Sequence, residues 1–157
     1  MRDGDIRRSF AAAVRNRRTF KKLSQESQLI SALRPMARIA DPIDGLVESM
    51  CYCVRKLCDS SDARLWMEVL AESARNIRVC KFRQEFDRDM REILKSLIHC
   101  AGQLQQVSPN LDSESIALWM IASLDGTIAR YCVQPNFDIA RARDFLTNSI
   151  RRHFCSS

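Results

Sequence analysis

The run of residues 116–133 is apolar almost all round a helix, and it constrains the fold more than any other stretch. An ordinary surface helix has one apolar stripe and a polar back. A helix with so little polar surface must be covered on two sides, by its own domain and by a partner. An amphipathic run at helical spacing follows over 139–150, after a turn containing Pro135. We therefore predict that residues 111–154 form a helix pair that carries the dimerisation surface.

The rest of the chain is also patterned as helices. Four glycines and four prolines in 157 residues leave long stretches without turn signals, which favours an all-α fold. The periodic segments predict an antiparallel helical bundle of about six helices in a single domain, residues 1–157, which opens with a long helix within 1–34. No uninterrupted apolar stretch reaches the roughly 18 residues of a membrane span, and there is no secretory signal pattern. We therefore expect a cytoplasmic protein.

Three aspartates are placed to start helices. Asp41 precedes Pro42, which fits the first helical turn, so Asp41 is predicted to cap the helix that follows. Asp112 and Asp138 are predicted to cap two later helices. Between them, residues 79–104 form the longest periodic pattern, with an apolar face opposite a charged one. That charged face is predicted to carry Lys81, Arg83, Asp87, Arg88, Arg91, Glu92 and Lys95, with Asp87 and Arg91 as an ion pair.

The basic charge is concentrated at one end of the chain. Residues 1–22 carry eight basic and two acidic side chains, which accounts for the whole net charge of +6. A basic arm of this kind predicts weak, salt-sensitive association with DNA, without sequence preference. The alternative is that these residues form a solvated helix face.

The sequence offers little support for catalysis. Seven cysteines without paired spacing argue against a disulfide framework and indicate small buried thiols, with a redox sensor at Cys51, Cys53 or Cys58 as the alternative. His99 adjoins Cys100, but neighbouring helix positions point about 100° apart, so they do not form a dyad by spacing. Clustered metal ligands and a glycine-rich phosphate loop are both lacking. We predict no catalytic residue, metal or cofactor, and keep a small hydrolase or redox protein using Cys100 as an alternative class.

Several motifs together resemble one known family. Residues 41–48, 63–76 (with the Leu65-Trp66 pair), 81–98 and 116–146 resemble in order and spacing the C-terminal domain of TetR-family transcriptional repressors. Asp125-Gly126 matches a central motif of that domain, and Phe137, Asp138 and Ala142 match its closing helix. The resemblance covers about residues 41–154. It implies a transcriptional regulator that homodimerises and encloses a small-molecule effector.

The family's three-helix DNA-binding head has no counterpart in this sequence. Residues 1–34 resemble the helix that connects the head to the C-terminal domain. We therefore expect this chain to contact DNA only indirectly, through a missing head or a full-length partner, or weakly through the arm 1–22. As alternatives, the chain is a helical interaction module without a ligand, or a dominant-negative partner of a full-length regulator.

Two sets of residues are candidates for the effector site and the dimer surface. Large, adaptable side chains on four helices predict a pocket for a small apolar or amphipathic effector, with one hydroxyl as a polar contact: Met50, Trp66, Phe86, Met90, Trp119 and Ser123. Small and apolar positions of the closing pair predict the dimer interface: Leu118, Ile121, Ala122, Asp125, Gly126, Ala129, Phe145 and Ile150. The alternatives are that the first set only fills the core, and that the first long helix covers the second set.

Overall fold

The computed structural model describes residues 27–58, 62–108 and 111–154, and of His153 the backbone alone. Within these ranges the chain forms six α-helices and no strand: α1 (27–33), α2 (Pro42–Leu57), α3 (Asp62–Ser73), α4 (Ile77–Gln103), α5 (Ser113–Val133) and α6 (Ile139–Phe154). A 3₁₀ helix, Arg34–Arg38, connects α1 to α2. The predicted all-α fold is confirmed. The basic arm 1–22 and most of the predicted N-terminal helix lie outside the described residues.

The helix starts follow from local chemistry. The Asp41 carboxylate accepts hydrogen bonds from the backbone N–H groups of Ile43 (2.9 Å) and Asp44 (3.2 Å), as predicted for a cap. Asp112 and Asp138 cap α5 and α6 in the same way. Helix α4 begins earlier than its apolar pattern indicated, because the Asn76 side chain accepts a hydrogen bond from the backbone N–H of Arg78 at 3.1 Å.

The centre of the fold is the crossing of α2 and α4. Leu46 on α2 and Leu94 on α4 are both fully buried. Gly45 allows the two helices to approach closely, because a Cβ atom there would lie 2.8 Å from Leu97 Cδ2. The same Cβ would lie 3.0 Å from the carbonyl oxygen of Met36 in the 3₁₀ helix. A side chain at position 45 would therefore push apart three elements.

The closing helices α5 and α6 do not form the direct pair that their order in the sequence predicted. Helix α6 packs most extensively against α2, through the buried side chains of Leu146, Ile150 and Phe154. Helix α5 packs against α4, α3 and α2. The apolar stripe of α6 is buried against α2. Because α2 also contacts α5, it is the helix that both closing helices share.

Helix α5 has an unusually apolar composition. In the described part of the chain, it is the one helix long and apolar enough to cross a membrane by length and composition, with a mean hydropathy of 1.3. Only 28% of its most apolar 18-residue stretch is buried inside the structure. One such helix is weak evidence for a membrane span, because core helices of soluble proteins pass the same test. The observation that matters for the site is that much of this apolar surface is left uncovered.

Candidate functional site

The six residues predicted to surround an effector do not come together at one place. Met50, Trp66, Phe86 and Met90 lie in the continuous hydrophobic core, each at most 5% exposed. Trp119 is 43% exposed and Ser123 is half-buried, and the Ser123 hydroxyl donates a hydrogen bond to the Trp119 carbonyl oxygen at 2.8 Å. The structure therefore divides the predicted pocket into four core residues on α2, α3 and α4 and two residues on α5 that are not buried.

A cleft of about 270 Å³ lies between α1 and α4. Its lining combines an apolar wall with hydroxyls and charged groups: Ser27, Ile30, Ser31, Arg34, Phe82, Glu85, Phe86 and Asp89. Of the predicted effector residues, Phe86 is the one that lines it. The α4 residues follow helical spacing and could have been recognised as one face. Of the α1 residues across from them, Ile30 belongs to the apolar stripe of the predicted N-terminal helix, but nothing in the sequence placed that helix against α4.

Arg83 is buried, which corrects its predicted place on the charged outer face of α4. The residue is 5% exposed. Its guanidinium carbon lies 4.3 Å from the ring centroid of Trp66 and 5.1 Å from that of Phe86, both within the range of cation–π attraction. The two rings meet edge to face, with their centroids 5.4 Å apart. Arg83 is thus held between aromatic side chains of α3 and α4.

Two carboxylates complete this arrangement. Arg83 Nη2 donates to both oxygens of Asp125 at 3.3 Å, and its Nε lies 3.1 Å from Asp87 Oδ1. The indole N–H of Trp66 donates to Asp125 Oδ1 at 2.7 Å. The Asp125 carboxylate, which was predicted at the dimer interface, therefore bonds to side chains of its own chain and keeps 26% of its surface exposed. We define the buried polar cluster as the buried residues Trp66, Arg83 and Phe86 together with their two half-buried partners, Asp87 and Asp125.

Asp87 is the member of the cluster whose pKa is shifted. Burial is the largest cause that raises the pKa of Asp87, and nearby Asp125 adds to it, while Arg83 acts in the opposite direction. The predicted ion pair between Asp87 and Arg91 is replaced. Arg91 instead pairs with Glu114 on α5 at 2.9 Å and donates to the Asp87 carbonyl oxygen at 3.4 Å. Asp87 turns to Arg83 because that guanidinium is the buried cation.

The side of α5 that faces away from the core is largely apolar. We define the outer face of α5 as Leu118 (57% exposed), Trp119, Ala122, Gly126 and Val133 (70% exposed). A Cβ atom at Gly126 would meet no atom within 4 Å.

The other predicted interface residues divide between surface and core. On α6, Phe145 is 72% exposed, and Ala129 of α5 is half-buried. Ile121 and Ile150 were also predicted at the dimer interface, but both face the core of their own chain, where they are 6% and 1% exposed.

The cysteines described in the structure are free thiols, and the three in α2 and at its end are buried. Burial raises the pKa of Cys53 to about 12 and that of Cys58 to about 11, with neighbouring thiols as a second cause. A thiol held protonated by burial is a poor nucleophile, which counts against the redox-sensor alternative at these two positions. Among the described residues, no group of three or more His, Cys, Asp or Glu side chains is arranged to hold a metal ion.

Comparison with known families identifies the domain. Residues 51–154 match the family described as "BetI-type transcriptional repressor, C-terminal", a span of more than half the chain. The chain belongs to this family. Comparisons with curated proteins and with solved structures gave no match. The resemblance to TetR-type C-terminal domains is confirmed, and the matched span contains both the buried polar cluster and the outer face of α5. As a member of the BetI-type family, the protein is a transcriptional regulator, which points to a non-enzymatic role.

Proposed function

We propose that this BetI-type domain is the effector-sensing and homodimerising part of a cytoplasmic transcriptional regulator. The observation that carries the proposal is the outer face of α5, an apolar surface on a helix already docked on three others. In this proposal, DNA is contacted by segments other than α2–α6. The effector is a small amphipathic molecule that enters the cleft between α1 and α4.

The outer face of α5 supports dimerisation through its composition and shape. Leu118 and Val133 expose more than half of their surface, and Phe145 on α6 adds a third large exposed apolar side chain. Removing apolar surface from water stabilises by about 25 cal/mol per Å². Ala122 and Gly126 are small, so the backbone of a partner helix can approach closely. A second copy of the chain related by a two-fold axis would bury this surface against itself.

The cleft supports effector binding through its mixed lining. Ile30, Phe82 and Phe86 offer an apolar wall, while Arg34 and Glu85 offer charged groups of both signs. Ligand sites of this kind are mostly apolar, with a few polar groups that fix orientation. The filled core around Met50, Trp66 and Met90 favours a second candidate, an interaction module without a ligand.

Sedimentation equilibrium with two matched variants tests the dimer. Leu118→Glu places a charge on the outer face of α5, and we expect it to weaken self-association at least tenfold. Ile77→Glu is the control, because Ile77 is 68% exposed at the start of α4 and does not belong to that face. It should dimerise like the unmodified chain. A chain that is monomeric at high concentration, or equal effects of both substitutions, would reject the proposed interface.

A thermal-shift screen with small amphipathic compounds tests the effector. A ligand at one hundred times its dissociation constant stabilises the folded state by about 2.7 kcal/mol. We expect stabilising compounds to lose their effect in Ser31→Phe, which fills the cleft, and to keep it in Gln28→Phe, an exposed α1 position outside the cleft lining. If no compound in a broad library stabilises the protein, the module without a ligand is the better description.

A further inference from the structure

We infer that the buried polar cluster is a mechanical link that transmits occupancy of the cleft to α5. This inference rests on the proposed function, since it gives the effector a route to the proposed dimer surface. Its first step is Phe86, which lines the cleft and is itself a member of the cluster, where its ring contacts Trp66. One aromatic ring is therefore shared by the two places.

The second step is the contact of Phe86 with Trp66 and Arg83. Its ring meets the Trp66 ring edge to face at 5.4 Å, and the Arg83 guanidinium lies 5.1 Å from its centroid. Trp66 and Arg83 are 1% and 5% exposed. Close-packed interiors have few voids, so displacement of a buried ring is passed to the atoms around it. A molecule that enters the cleft and shifts Phe86 thus shifts Trp66 and Arg83.

The third step is the set of hydrogen bonds that Trp66 and Arg83 donate to one carboxylate of α5. Trp66 donates to Asp125 at 2.7 Å and Arg83 donates to both its oxygens at 3.3 Å. Asp125 is the residue immediately before Gly126 on the outer face. Adjacent helix positions point about 100° apart, so a rotation of α5 that follows Asp125 inside also moves Gly126 outside. The cluster fixes the rotational position of α5 that a partner meets.

The link predicts that effector affinity at the cleft and dimer affinity at the outer face of α5 are coupled. Coupling between sites is reciprocal, so an effector that changes dimer affinity by some factor has its own affinity changed by the same factor. We expect about a fivefold effect, the lower end of measured couplings between sites. Phe86 then acts as a positioning residue for the link, and not only as a wall of the cleft.

Hydrogen exchange of the amides in residues 121–130, followed by mass spectrometry, tests the link without any ligand. Ser31→Phe serves as a built-in occupant of the cleft, and Gln28→Phe adds the same side chain to α1 outside the cleft lining. We expect Ser31→Phe to change exchange in this segment by about fivefold, by the same coupling argument, and Gln28→Phe to leave it unchanged. Equal exchange in the two variants overturns the inference.

Breaking the link provides the second arm. Trp66→Phe keeps a ring at position 66 but removes the indole N–H that donates to Asp125, so Ser31→Phe should lose most of its effect in this background. Asp125→Asn weakens the contact with Arg83 and replaces Trp66→Phe if that variant does not fold. An effect of Ser31→Phe that survives undiminished in the folded background overturns the inference.

The same variants separate the link from the proposed function. Sedimentation of Ser31→Phe should show a dimer dissociation constant changed by about fivefold. If the unmodified chain does not dimerise at any concentration, the proposed function fails, and exchange in 121–130 still decides the link. If the chain dimerises and exchange responds but the dissociation constant does not, the transmission to the outer face of α5 is rejected.

Discussion

The same substitution at two glycines should change stability in opposite directions. Gly126 lies inside α5, on its outer face, and a Cβ atom there would meet nothing within 4 Å. Glycine in a helix interior is less favourable than alanine by about 1 kcal/mol. Gly126→Ala should therefore stabilise the isolated chain by about 1 kcal/mol, which raises the melting temperature by roughly 2–4 °C for a chain of this length.

Gly45 offers the matched control within the same protein. It also lies in a helix, so alanine brings the same gain in propensity. Its Cβ would lie 2.8 Å from Leu97 Cδ2 and 3.0 Å from the Met36 carbonyl oxygen. The leucine side chain can move, but the backbone oxygen is fixed by the 3₁₀ helix. Overpacking of a core costs about 1–3 kcal/mol, so we expect Gly45→Ala to be destabilising overall.

Urea denaturation followed by far-UV circular dichroism measures both variants at a low protein concentration. A series at rising concentration adds a second readout. If a partner helix approaches Gly126, the extra methyl group lies in the contact, and the gain from Gly126→Ala should shrink as dimers form. Destabilisation by Gly126→Ala at the lowest concentration, or equal gains from both substitutions, would refute this reasoning about space around the two glycines.

Three further predictions concern other parts of the chain. Gln105, two residues after the end of α4, has a φ of 57°, a left-handed conformation that costs a non-glycine residue about 1–2 kcal/mol, so Gln105→Gly should raise the urea midpoint. A hydrogen bond from Lys95 lowers the pKa of Glu114, so this carboxylate contributes stability above its unfolded pKa that is lost as the pH falls through the folded value. Glu114→Gln should therefore flatten the loss of stability below about pH 4.5 in a urea series, and an unchanged acid limb would contradict the pairing. Cys53, whose pKa burial raises to about 12, should resist iodoacetamide at neutral pH while the half-buried Cys80, Cys100 and Cys132 react sooner, as peptide mass mapping over time will show.

The features that could be predicted from the sequence are those decided by neighbours along the chain. Asp41, Asp112 and Asp138 cap helices because a carboxylate reaches backbone N–H groups two or three residues later. The apolar stripes gave the helices and most of the core in the same way. Apolarity almost all round α5 indicated a helix with more apolar surface than its own chain covers, and Leu118 is exposed accordingly.

The features that could not be predicted depend on contacts between distant segments. Arg83 looks like a member of a charged surface stripe, and its burial depends on contacts with Trp66 of α3 and with Asp125, which lies 42 residues later in the chain. Likewise Ile121 and Ile150 looked available to a partner, but the direction in which α5 and α6 lean on the other helices turns them inward. The cleft needs α1 and α4 side by side, which no local pattern specifies.

One carboxylate joins two places that are 65 residues apart. Asp41 Oδ1 receives the N–H of Ile43 at the start of α2, while Oδ2 receives the side-chain amide of Gln106 just after α4, at 3.1 Å. Fraying of the first turn of α2 therefore weakens the anchor of the segment after α4, and the reverse also holds. These two ends should open together as one small cooperative unit, so that a protease acting at one of them gains access to the other.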